Sequence, residues 1–364
     1  EMERDQSLDL SRDLVNRVSK NERLIRSLVD IVSENNATKK EYKVMEINLT
    51  GDVLAKEVES LIVNSQLMPT DVNYHLFVRS LDNVSEHMRE KAKTFEPNVI
   101  PELKTSDLII LRDSQEFWSL NVEDLVKSID EAINENGFLM IVAKNRLTEP
   151  ELSLNSVINA KSNASQTELE NRIQALNKAF ENSGLRPIAN KSDSVSTMAM
   201  MFRKVKEKMK IPENTEVIEV TAERDKKWFE DIRNALQDSK ELIDRGEKPK
   251  NVWLIARDSD INGIVGLINC LRLEPGGQCF RCLHDMDSNT TLPIDWTKHP
   301  YCDALANDLV INVIKDGKLG TYRHLKLPHN YNKTKSSNYF LNQGANKDLS
   351  SLLWYDMSKV APAE

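Results

Sequence analysis

The sequence predicts an α/β protein made of two successive parallel-sheet units. Three observations carry this. Apolar runs of strand length alternate along the 364 residues with stretches whose apolar positions recur at three- and four-residue steps. The alternation breaks once, at the charged stretch Arg203–Pro212, and then restarts. The length corresponds to two domains, each large enough to bury its own core.

In chain order, residues 1–35 have a helical pattern, with Leu14, Val18, Leu24, Leu28 and Ile31 on one stripe. Tyr42–Leu49, Val72–Val78 and Asp107–Leu111 are strands, and Val122–Asn134 is a helix with Leu125, Val126, Ile129 and Ile133 on one face. A stop at Asn136-Gly137 ends that helix and leads into the strand Gly137–Val142. A helix over Gln166–Glu181 ends at Gly184, and strands near Arg186–Ala189 and Thr197–Phe202 close the first unit. Past the boundary come strand Glu216–Val220, helix Lys226–Asp244, strand Asn251–Ala256, helix Ile261–Leu273 and strand Cys279–Asp285. Leu309–Lys315 and Leu319–Leu327 flank Asp316-Gly317, a hairpin turn signal. Residues 329–347, rich in Asn, Ser and Lys, read as a loop. The predicted domains are 1–205 and 206–364.

Composition removes several classes of function. With 40% hydrophobic and 29% charged residues the chain is not disordered throughout. No apolar run approaches the ~18–20 residues that span a bilayer, and no signal-peptide pattern opens it, so no membrane partner is expected. A net charge of -8, with Lys and Arg interleaved among Asp and Glu, argues against nucleic acid as a partner. The first residue is Glu1, and Val360–Glu364 reads as a linker, so a piece of a longer chain is expected.

The four cysteines, Cys270, Cys279, Cys282 and Cys302, lie in one window. Cys279 and Cys282 have CxxC spacing, with His284 two residues on, which is a zinc-ligand pattern. A strand over 279–284 would instead point residues 279 and 282 to opposite faces. Buried or half-buried reduced thiols are therefore expected, with no metal, in a reducing, cytoplasmic compartment.

Two cofactor-site patterns are degraded in the sequence. Val44-Met-Glu46-Ile places a carboxylate on the first strand, as in proteins that bind S-adenosylmethionine. Glycines should follow at alternate positions, so that the backbone can approach the ligand. Those positions hold Asn48, Thr50 and Asp52, with Gly51 out of step, and the second strand ends Val78-Arg79-Ser80 rather than in an acidic residue. Glu46 then reads as a structural or surface carboxylate. After Ala256 there is no GxGxxG; Gly263 and Gly266 fall inside a helical pattern, where they would permit close helix–sheet packing. Tyr331 and Lys335 have the YxxxK spacing of short-chain reductases, but no apolar periodicity places them on a helix.

Asn251–Ala256 and Asn262–Gly277 closely resemble the animal type I fatty acid synthase, in the segment before its enoyl reductase. Asp308–Gly317, Tyr322-Arg-His324 and Leu349–Trp354 continue the match in order. Lys43–Glu46, Ser106–Ile110 and Asn136–Leu139 extend it more weakly into the first half. The resemblance implies two successive Rossmann-like units, a degenerate methyltransferase-like fold followed by a truncated short-chain-reductase-like fold. It implies a non-catalytic structural region with no catalytic residue and no cofactor. Its partners would be the catalytic ketoreductase half and the enoyl reductase of the same chain, in a homodimeric parent synthase. The competing expectation is an active S-adenosylmethionine-dependent C-methyltransferase of a polyketide-synthase-like protein.

Overall fold

The computed structural model describes residues 22–48, 53–65, 70–82, 84–96, 99–112, 121–149, 165–193, 196–205, 209–221, 227–257, 263–287, 294–323, 339–343 and 351–356. Two compact units divide the chain, Glu1–Tyr322 and Arg323–Glu364. Both larger sheets lie in the first of these. The expected helix over 1–35 is described from α1 (Glu22–Asn35) onward; Leu14 and Val18 lie outside the described residues.

The seven-stranded sheet has the order β3-β2-β1-β4-β5-β7-β6. Its parallel part comprises β1 (Glu41–Asn48), β2 (Asp71–Val78), β3 (Ala92–Thr94), β4 (Ser106–Arg112) and β5 (Ile133–Lys144). β7 (Thr197–Lys204) runs antiparallel to both β5 and β6 (Leu185–Ser192). The central strands are buried on both faces, as their unbroken apolar runs require. One face packs on α1 and α2 (Ala55–Ser65), through Ile25, Val29, Val44, Val58 and Leu108. The other packs on α4 (Val122–Ala132) and α5 (Gln166–Asn182), through Ile109, Ile129, Leu139 and Phe180; α3 is the single turn Glu86–Arg89. Asn121 caps α4, and Ser165 and Glu168 form a reciprocal capping box on α5.

The helix stop expected at Asn136-Gly137 is instead a bulge inside β5. α4 ends at Ala132 and the strand begins at once, with Asn136 in the left-handed conformation (φ 62°). Register slips between the Ser106–Ile133 and Leu108–Phe138 pairs. Asn134 in the bulge donates to the carboxylate of buried Asp107 at 2.8 Å, and this outweighs continuing the helix by two residues.

The five-stranded sheet has the order β12-β11-β10-β9-β8. β8 (Thr215–Glu219), β9 (Asn251–Ala256), β10 (Phe280–Asp285) and β11 (Ile311–Lys315) are parallel, and β12 (Lys318–Gly320) turns back antiparallel. Asp316 and Gly317 both have positive φ (53° and 68°), the two-residue hairpin turn that their sequence predicts. α6 (Lys227–Asp244) and α7 (Ile264–Leu271) pack on one face with Leu254 and Cys282. α8 (Tyr301–Asn307) packs on the other with Trp253, Ile255 and Leu283.

In the Arg323–Glu364 unit, part of the expected loop over 329–347 is a strand. β13 (Tyr339–Gln343) pairs antiparallel with β14 (Leu352–Asp356). The Tyr-Phe-Leu run supplies strand propensity that the surrounding Asn and Lys residues mask in composition. Phe340 stacks on Tyr355, Tyr339 meets Trp354 edge-on, and Trp354 is 67% exposed. Among the described residues no helix is long and apolar enough to cross a membrane.

Candidate functional site

In an open parallel sheet a ligand binds beyond the carboxyl ends of the strands, where the strand order reverses. The seven-stranded sheet has that point between β1 and β4, whose last paired residues are Asn48 and Arg112. Both are buried, as is Glu46.

Glu46 is a structural carboxylate. One oxygen accepts from the Asn48 amide at 2.8 Å and from the Leu54 N–H at 3.0 Å; the other accepts from the Tyr74 hydroxyl at 2.7 Å. Burial raises its pKa, against the opposing effects of Tyr74, the Arg112 charge, Leu54 and Asn48. Burial and the Glu46 charge hold the Tyr74 phenol well above its ordinary value. The carboxylate thus ties β1, β2 and the start of α2 together, with its hydrogen-bonding capacity turned inward. Asn48, at the first position where a glycine would be needed, belongs to this network. Thr50, Gly51 and Asp52 lie outside the described residues. The sequence gives no warning of Tyr74 and Arg112, because neither carries a motif; only strand register brings them to Glu46 and Asn48.

The five-stranded sheet has no such point among its described strands: β8 to β11 cross it in chain order without reversal. The polar groups at its carboxyl ends pair with one another. Tyr301 donates to buried Asp285 at 2.6 Å, and burial together with this carboxylate pushes the phenol up to about 12. Asp287 accepts the Asp316 and Gly317 N–H groups at 2.8 and 2.7 Å, fixing the hairpin turn. Arg257 pairs with Glu219. Carboxylates at these strand ends repel a dinucleotide's phosphates. Tyr331 and Lys335 lie outside the described residues.

The glycines expected to allow close packing are not the ones that do so. A Cβ at Gly263 or Gly266 would meet open space. At Gly277 it would lie 1.8 Å from the Leu271 carbonyl oxygen. At Gly276, where φ is +91°, it would lie 2.7 Å from that of Leu236 on α6. The Glu274-Pro-Gly-Gly277 turn is therefore the point of close approach, a signal available in the sequence as adjacent turn residues.

The cysteines also depart in detail from their expected placement. Cys279 ends a short 3-10 turn (Gly277–Cys279) before β10, so it and Cys282 enter the same apolar cluster rather than opposite faces. The Cys279 thiol lies 3.2 Å from both the Ser239 hydroxyl and the Gly276 carbonyl oxygen. Burial raises its pKa and pushes Cys282 up to about 12. His284 is buried on β10, Cys302 is half-buried, and Cys270 is exposed rather than buried or half-buried as expected. Among the described residues no group of three His, Cys, Asp or Glu side chains could hold a metal ion. A cleft of about 270 Å³, lined by Asn177, Glu181, Ile188, Asn190 and Met200, lies at the β6 edge, three strands away from β4.

Several solved structures resemble the chain. A methyltransferase dependent on S-adenosylmethionine from Aquifex aeolicus is 10% identical, with a TM-score of 0.36 over 53% of this chain and 98% of that one. An O-methyltransferase family protein from Burkholderia thailandensis is 16% identical (TM-score 0.32; 54% and 60% covered). An S-adenosylmethionine-dependent methyltransferase from Mesorhizobium loti is 8% identical (TM-score 0.32; 45% and 91% covered). At such identities and scores nothing about a ligand follows from them. Residues 225–327 match the family model of the fatty acid synthase pseudo-KR domain. That stretch holds α6 through β12, nearly all of the sheet that lacks a reversal point, and it is similar to a fatty acid synthase pseudo-ketoreductase region.

Proposed function

We propose that the chain is a non-catalytic structural region of a multifunctional fatty acid synthase. Residues 1–205 would form a pseudo-methyltransferase domain and 206–364 a pseudo-ketoreductase domain. The second would pack against the catalytic ketoreductase half and mount the enoyl reductase of the same chain, within a homodimeric cytoplasmic synthase. The observation that carries this reading is the unreversed order β8-β9-β10-β11, whose last three strands lie within the stretch matching the pseudo-KR family model. A dinucleotide fold needs the reversal to open its crevice, and this sheet is one wing of such a fold. The apolar β13–β14 hairpin supports the same reading: two strands are marginal in water by themselves, and Leu341, Leu353 and Trp354 are exposed among the described residues.

Co-expression of this chain with the catalytic ketoreductase half tests the reading: a stable complex is expected, and two proteins that elute separately would overturn it. Ligand titration distinguishes the enzyme alternative. Calorimetry with S-adenosylmethionine and a thermal shift with NADPH should show no binding. Micromolar affinity for the first would restore the methyltransferase reading of 1–205, and a rise of several degrees with the second a reductase reading of 206–364.

A further inference from the structure

The two α/β sheets meet at a buried charged seam. The turn after α8, Asn307 to Val310, enters the seven-stranded half, where Leu309 joins the apolar cluster of Ile25, Val44 and Met201. Asp308 takes a left-handed conformation (φ 48°), which turns its carboxylate and carbonyl toward the other half. Arg203, at the end of β7 and 3% exposed, donates to the backbone carbonyls of Asp308 and Asn307, to the latter at 3.1 Å. Its guanidinium lies 3.6 Å from the Asp308 carboxylate and over the Phe138 ring. Arg281 on β10 holds the other Asp308 oxygen at 2.7 Å.

The C-terminal end of α1 completes the seam. Asn35 accepts Arg203 at 3.0 Å and the Val310 N–H at 3.2 Å on its side-chain oxygen. Its backbone carbonyl accepts Arg272 at 3.4 Å. A helix C-terminus carries partial negative charge, so α1 points its negative end at two buried arginines of opposite halves. Burial and the Arg281 charge push Arg272 down to about 9 and Arg203 to about 10. Burial would raise Asp308, but Arg281, Arg203 and Arg272 overcome it and hold the carboxyl below its ordinary value.

We infer that this seam is an obligatory latch: Asp308 of the five-stranded half neutralises buried Arg203 of the seven-stranded half, and the end of α1 accepts Arg272 in return, so that the two unfold as one body. The surface on the first half is α1's end with Arg203; what fits it is the Asn307–Val310 turn. The seven-stranded half thereby has a role in the second sheet's stability, whichever enzyme system the chain serves.

Native-state hydrogen exchange on the full chain tests it. In the wild type, the most protected amides of β1 and β7 and those of β9 and β10 should share one opening transition in urea. Breaking a buried pair by removing one partner is strongly destabilising, so Asp308→Asn should lower protection in both halves together by about a hundredfold. Leu309→Ala, which leaves every charge in place, should do the same by about thirtyfold, and it serves alone if the first variant does not fold. Asp308→Glu should recover part of the loss. Two separate openings in the wild type, or a loss confined to 251–320 with 22–48 and 197–204 unchanged, would overturn the latch.

Discussion

Among the described residues the two sheets differ at the carboxyl ends of their strands. The seven-stranded sheet keeps the reversal between β1 and β4, where the last pair, Asn48 and Arg112, is buried together with the hydrogen-bonded Glu46 carboxylate. The five-stranded sheet has no reversal among its described strands. One is a matter of side chains and the other of topology. Side chains can be exchanged by point substitution; a strand order cannot.

The largest expected effect comes from the filled site. Glu46→Ala would remove the carboxylate that accepts from the Tyr74 hydroxyl, the Leu54 N–H and the Asn48 amide, and should cost about 3–5 kcal/mol in urea unfolding. A loss under ~1 kcal/mol would mean that the network does not hold β1, β2 and α2 together.

The counterpart in the five-stranded sheet is Gly277→Ala. Its Cβ would collide with the Leu271 backbone, and overpacking should cost about 3 kcal/mol, read from Trp253 fluorescence during unfolding. If unfolding of both halves is coupled, this variant should also lower the transition followed from the seven-stranded sheet.

Acid separates the carboxylates. Asp107 lies below its ordinary value: burial raises it, but Lys39, the Lys43 N–H and Asn134 overcome that. Asp107 and Asp308 therefore contribute stability that is complete above ~4, the unfolded-chain value, and is lost as pH falls through their native values. Glu46, raised by burial, has the opposite sign: its cost to stability shrinks as pH falls from its native value toward ~4. Urea midpoints from pH 7 to 3 should rise slightly, then drop. In Glu46→Gln the initial rise should vanish while the drop remains; a rise that persists would assign it to another group.

Thiol labelling is a smaller, sharper comparison. Exposed Cys270 should react at the rate of a free thiol, Cys302 more slowly, and buried Cys279 and Cys282 only on unfolding. Fast labelling at Cys282 would contradict its placement under α7. Smallest of all, Gly266→Ala should change stability by less than ~1 kcal/mol and in the stabilising direction, because the new methyl meets open space on a helix. The contrast between Gly266 and Gly277 tests directly which glycine carries the packing.

Much of the fold was legible because its elements are locally encoded. β9 runs from Asn251 to Ala256 as its apolar run predicts, and the Asp316-Gly317 turn takes the conformation that its residues favour. The missed features depend on distant partners. The bulge in β5 rests on Asn134 reaching Asp107, and β13 sits inside a run whose average composition is that of a loop. The loss of the glycine pattern at Asn48 was readable; its replacement by Tyr74 and Arg112 was not, since those residues are 26 and 64 positions away along the chain.

By itself, the sequence determined the alternation of strands and helices, the break near 203–212, and the lack of glycine-rich cofactor loops, because periodicity and turn chemistry act over a few residues. Only the tertiary structure decided which groups occupy the space between β1 and β4, which glycines are crowded, and that Arg203, Arg272, Arg281 and Asp308 share one buried seam. Those outcomes depend on strand order and register, and a buried charge finds its counter-charge only when the whole chain has folded around it.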